Sequence, residues 1–124
     1  MTDPLILVVS DDPVVQDEVC FGFPSDIEVK AANDAREAWK VMEDQLPSVA
    51  VIEIRTGSAG GFGLARDMSQ RKDLQDIPIL MLLERAQDRW LAKTAGACAV
   101  LVQPIETGAL VTDTLALLPT DAVA

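Results

Sequence analysis

The chain has 124 residues, about the size of one domain, and 49% of them are hydrophobic, enough to bury a core. Twenty acidic residues against 10 basic ones leave a net charge of −10, which repels nucleic-acid phosphates and anionic lipid headgroups and argues against direct nucleic-acid binding. With no histidine and only two cysteines, Cys20 and Cys98, soft-metal sites are out of reach, so any metal would be a hard, oxygen-bound ion.

The apolar runs, such as 5–9 and 79–83, fall far short of the roughly 20 residues a bilayer span needs. The start "MTDP" carries no basic segment ahead of an apolar core, so no export signal is read, no membrane partner is expected and the expected location is cytoplasmic. In that reducing compartment the two cysteines are expected to be free thiols used as small apolar packing residues.

Residues 5–9, LILVV, form a continuous valine-rich apolar run and predict a strand buried on both faces. Asp12 followed by Pro13 reads as a helix start, with Val15, Val19 and Cys20 on the inward face. Residues 26–31, DIEVKA, alternate as a half-covered strand does, and Asp34 caps a helix from Ala35 to about Gln45 whose inward stripe is Ala35, Ala38, Trp39 and Met42.

After Pro47, "VAVIEI" is a second buried strand interrupted only by Glu53, followed by the glycine-rich "TGSAGGFG". A helix over 64–72 is weakly signalled, because Gly61 and Gly63 sit at its mouth. "IPILMLL", 77–83, is a third buried strand, and a helix from about Gln87 to Ala95 ends at Gly96. "AVLV", 99–102, is the last strand, stopped by Pro104, and 107–118 carries Leu110, Val111, Thr114, Leu115 and Leu118 at helical spacing.

Five strands alternating with five helices predict an α/β fold, a doubly wound five-stranded parallel sheet in one domain over 1–118, with a disordered tail at 119–124. Ligands of such sheets gather outside the carboxyl ends of the strands. Here those ends present Ser10, Asp11, Asp12, Glu53, Leu83, Glu84 and Gln103.

"LILVVSDDP", "PSVAVIEIRTGSAGG", "IPILMLL" and "AGACAVLVQP" together resemble, in order and spacing, the strand-end segments of response-regulator receiver domains in two-component systems, which have a flavodoxin-like fold. The resemblance covers roughly residues 4 to 118. It implies a bacterial signalling module rather than an enzyme. Receivers accept a phosphoryl group from a histidine kinase on an aspartate ending the third strand. Acids after the first strand hold magnesium, and a Ser or Thr after the fourth strand and a Lys after the fifth grip the product.

Laid on this chain, that pattern finds Glu53 at the acceptor position, Leu83 at the hydroxyl position, Gln103 at the lysine position and Val100 at the aromatic switch position. The acidic pair is either Ser10 with Asp11, one acid being replaced, or Asp11 with Asp12 after a one-residue shift. The resemblance therefore implies a degenerate pseudo-receiver that has lost ordinary aspartyl phosphorylation. It keeps at most weak magnesium binding through Asp11, Glu53 and the Arg55 carbonyl.

Such a module would act through protein–protein contact, by way of the fourth helix, last strand and fifth helix near Trp90, and a second copy is one candidate partner. It is either a stand-alone adaptor or part of a longer protein. The rival readings are a working receiver that still takes phosphate in a phosphorelay, and a small nucleotide- or anion-binding protein using "TGSAGGFG". That stretch lacks the lysine and the serine or threonine of a P-loop.

Overall fold

In a computed structural model of the chain, residues 4–54, 60–103 and 105–118 are described. Residues 55–59, which hold Arg55 and the first half of TGSAGGFG, the stop at Pro104 and the tail at 119–124 lie outside them. Among the described residues no helix is long and apolar enough to cross a membrane.

The elements alternate throughout: β1 (Leu5–Val9), α1 (Pro13–Gly22), β2 (Glu28–Ala32), α2 (Ala35–Asp44), β3 (Val49–Glu53), α3 (Gly61–Gln70), β4 (Ile79–Leu83), α4 (Arg89–Thr94), β5 (Ala99–Val102) and α5 (Thr107–Ala116). All strand pairs are parallel, in the order β2-β1-β3-β4-β5. This is the doubly wound α/β architecture that the alternation of runs predicts.

The three central strands are apolar on both sides because helices cover both sides. Leu7, Val9, Ala50, Ile52, Met81 and Leu83 pack under α2, α3 and α4. Ile6, Val8, Val51, Leu80 and Leu82 pack under α1 and α5, with Val19, Phe23 and Leu110. Every residue of β1, β3 and β4 is buried, whereas the edge strands β2 and β5 are only partly covered.

Helix starts follow local chemistry. Asp12 caps α1 by accepting from the Val14 amide at 2.9 Å, with Pro13 in the first turn. Asp34 caps α2 by accepting from the Glu37 amide, and Glu37 reaches back to accept from the Asn33 amide, both at 2.9 Å. Gly96, at φ +99°, ends the α4 segment where the Ser69 hydroxyl meets the Ala95 carbonyl at 2.9 Å and ties α3 to α4.

Several sequence expectations shift. β2 begins at Glu28 rather than at residue 26, because the Ile27 amide closes a turn onto the Pro24 carbonyl. α3 begins three residues earlier than the glycines suggest, since its first turn must lie against β3. The expected helix over 87–95 opens with a 3-10 turn, Ala86–Asp88, before α4 proper.

Cys20 does not join the inward face of α1: Val15 and Val19 take it at i, i+4 spacing, and Cys20, one residue on, is exposed. Cys98 is exposed as well, so both thiols are free but neither is a packing residue. Partial burial and the nearby Asp17 push the Cys20 thiol up, away from the reactive thiolate. Trp39 is partly buried against the core under α2 and α3, with the Arg71 guanidinium 5.2 Å from its ring centre.

Candidate functional site

The parallel register of β1 and β3 builds the centre of the site. Val9 pairs with Ile52, so the next residues, Ser10 and Glu53, emerge side by side at the carboxyl edge. The Ser10 hydroxyl donates to Glu53 Oε2 at 2.5 Å, and both residues are buried. A hydroxyl bonded this closely to a carboxylate is a strong, charge-assisted contact.

Ser10 is held from several directions. Its amide donates to the Ala32 carbonyl at 3.0 Å, its hydroxyl accepts from the Asp12 amide at 3.1 Å, and its carbonyl accepts from the Gln16 side-chain amide at 2.5 Å. The same Gln16 amide donates to Asn33 Oδ1 at 2.8 Å, and Asn33 continues to Glu37. A hydrogen-bonded line thus links the carboxyl ends of β1 and β2 to the starts of α1 and α2.

Gln16 and Asn33 were not legible as site residues in the sequence. The available signal was spacing: Gln16 lies one helical turn after the Asp12 cap, which aims it back at the β1 end.

Glu53 carries the perturbed titration. Burial raises its pKa above the ordinary glutamate value of 4.5, the Ser10 hydrogen bond pulls it down, and the charges of Asp11, Asp12 and Glu84 push it up again, for a net rise. The negative charges of Asp11, Asp12 and Glu84 thus crowd the carboxyl edge around Glu53.

The sign of the pH effect follows. Below 4.5 both folded and unfolded forms are protonated and Glu53 costs nothing; as pH rises, the unfolded form ionises first and folding loses stability until the folded form ionises too. Glu53→Gln keeps an acceptor for Ser10 and removes the ionisation. Its melting temperature should therefore gain on the natural chain from pH 4 upward and level off once Glu53 is charged in the folded state. A melting-temperature difference between the two proteins that stays flat over pH 4 to 8 would show that the buried carboxyl is not under this strain.

The remaining expected site residues separate. Leu83 is fully buried under α2, α3 and α4 and presents no polar group to the edge. Gln103 is exposed, its amide donating to the Leu83 carbonyl at 2.8 Å, and its side chain borders a pocket between α1 and α5. Val100 is half-buried on β5 and lines a second pocket with Arg89 and Lys93.

A hard divalent ion needs several oxygens converging at once. Among the described residues no group of three or more acids or cysteines is arranged to hold one. Glu53 Oε2 is occupied by Ser10 and Asp12 Oδ1 by the α1 cap. The third ligand that the resemblance implies, the Arg55 carbonyl, lies outside the described residues.

A five-stranded parallel sheet in the order 2-1-3-4-5, with acids just after β1 and at the end of β3 on its carboxyl edge, is the flavodoxin-like arrangement that receiver domains share. The family model described as the response regulator receiver domain matches residues 6–114, and the chain belongs to that family.

Response regulator Rre1 of Synechocystis sp. is 27% identical over 111 residues, covering 86% of this chain and 48% of that protein. RpaA of the same organism, a DNA-binding dual master transcriptional regulator, is 25% identical over 118 residues, covering 93% and 49%. The chain thus spans about half the length of these relatives. The chemotaxis response regulator CheY4 of Vibrio cholerae shares the fold with a TM-score of 0.85 at 23% identity, over 94% of this chain and 100% of that one.

Proposed function

We propose that this receiver domain has lost ordinary aspartyl phosphorylation and serves a two-component pathway as a protein-contact module. The observation that carries the reading is the Ser10–Glu53 hydrogen bond: the carboxylate at the acceptor position is buried and committed to a neighbouring strand. Glutamate also reaches about 1.5 Å beyond aspartate, and a displacement of that size can cost roughly a hundredfold in a positioned transfer.

Two further features support it. The fourth strand offers the buried Leu83 where a hydroxyl would grip the product, and the fifth offers the uncharged amide of Gln103 where an ammonium would. Magnesium at Asp11, Glu53 and the Arg55 carbonyl belongs to this reading only as weak binding.

The contact surface of the reading is the face of α4, β5 and α5 around Trp90, which is 67% exposed and aromatic, as interface anchors are. The phosphorylation test is direct. Incubated with acetyl phosphate and magnesium, the chain should show no phosphoryl adduct by intact mass, under conditions that modify an active receiver to a large fraction. A stable adduct on Glu53 overturns the proposal in favour of a working switch.

A further inference from the structure

Trp90 is left mostly to water on α4, between Arg89 and Lys93, both exposed and one helical turn apart. Two exposed cations thus stand along one side of an aromatic knob in a strongly acidic chain. On the opposite face of the sheet, α1 and the segment entering α5 leave a pocket of about 250 Å³ walled by Val14, Val15, Val19, Ile105 and Leu110. Its edge is acidic: Glu18 lines it, and Asp17 is exposed beside it on α1.

We infer that a second copy of this chain seats its Trp90 in this pocket, with Arg89 and Lys93 of one molecule facing Asp17 and Glu18 of the other. The pocket has mainly apolar walls, with Gln103 and Glu18 at its polar edge, where Glu18 accepts from the Thr107 hydroxyl at 3.0 Å, and it is roomy enough for one indole, whose burial is a large favourable term. The charges complement one another around it, which fixes orientation and disfavours the reversed pairing.

The knob belongs to the layer of α2, α3 and α4 and the pocket to the layer of α1 and α5, so the two do not compete. Each molecule can give its Trp90 to one neighbour and receive that of another. Such a contact is heterologous and grows head to tail instead of closing as a dimer. The net charge of −10 per copy opposes growth, so the association is weak and concentration-dependent.

This inference rests on the reading that the domain acts through protein contact, but not on the state of Glu53. Sedimentation velocity under reducing conditions tests it. The natural chain should gain mean mass with concentration without levelling at a dimer. Trp90→Ala, and separately the double variant Asp17→Lys/Glu18→Lys, should each weaken association at least about tenfold. All three substitutions lie on exposed residues, and circular dichroism checks that the variants are folded.

Trp90→Ala keeps an intact pocket, and the lysine variant keeps an intact knob. Mixed together, they should form one-to-one dimers that grow no further. A natural chain that stays monomeric at every concentration, a dimer that survives Trp90→Ala, or a mixture that stays monomeric overturns the inference. Monomeric behaviour would leave the silent-acceptor reading standing, and a phosphoryl adduct on Glu53 would leave self-association standing.

Discussion

Gly61→Ala should lower stability by about 3 kcal/mol, near the upper end of what forcing extra volume into a packed site costs. An added Cβ at this position would lie 2.0 Å from the Glu53 carbonyl oxygen, 2.9 Å from its carbonyl carbon and 2.7 Å from Ile52 Cγ2. Two of those atoms are backbone, so no side-chain rotation relieves the clash. Either α3 moves away from β3 or the end of β3 bends.

The close approach has a purpose in the fold. Gly61 donates its amide to the Ile54 carbonyl at 2.9 Å, which fastens the first turn of α3 to the strand end that carries Glu53. Displacing that turn also disturbs the Ser10–Glu53 contact, so the loss should exceed that of an ordinary surface change. For a domain this size about 3 kcal/mol corresponds to a melting temperature lower by roughly 10 °C.

Gly63 supplies the control. A Cβ there meets nothing within 4 Å, and it lies inside α3. Gly63→Ala should therefore stabilise by about 0.5–1 kcal/mol through helix propensity and a stiffer unfolded chain. Thermal and urea unfolding of the pair should move in opposite directions. Two shifts of the same sign would mean that Gly61 is not there for proximity.

This glycine also shows what the sequence conceals. Read locally, Gly61 and Gly63 look alike and weaken the helix, which is why its start was expected at residue 64. Only tertiary structure separates them, since one abuts a strand and the other faces open space. The central strands were legible because burial on both sides makes LILVV, VAVIE and ILMLL apolar without alternation. The half-covered edge β2 and the 3-10 opening before α4 carry weaker patterns, and their bounds moved.

The site divides in the same way. Glu53 stands out in sequence as one acid ending an apolar run, and Leu83, Gln103 and Val100 follow from segment order. Ser10 could be read only as a substituted position in one of the two registers of the acidic pair. Its role as the partner of Glu53 depends on the β1–β3 register, which joins residues 43 apart in the chain. The Gln16–Asn33 relay needs β2 docked beside β1 as well.

The triple variant Glu53→Asp/Leu83→Thr/Gln103→Lys should accept a phosphoryl group from acetyl phosphate with magnesium in solution, and the natural chain under the same conditions should not. Each change answers one structural defect. Aspartate withdraws the carboxylate by about 1.5 Å from the Ser10 hydroxyl and towards the position an in-line transfer requires. Lysine at 103 brings an ammonium with three donors to a backbone position already fixed by the bond to the Leu83 carbonyl. Threonine at 83 supplies the missing hydroxyl.

The last change has a structural cost, because Leu83 is fully buried and its replacement removes apolar volume and introduces a polar group, roughly 2–3 kcal/mol. Unfolding measurements must therefore accompany the phosphorylation assay. Glu53→Asp alone should remain at least about tenfold slower than the triple variant, since the developing charge on the transferred group still lacks its hydroxyl and ammonium donors. If Glu53→Asp alone is modified as fast as the triple variant, the glutamate is the whole defect. If the triple variant folds and stays unmodified, the three substitutions do not account for the silence, and Ser10, which holds the place of a second acid in one of the two registers of the pair, becomes the residue to change.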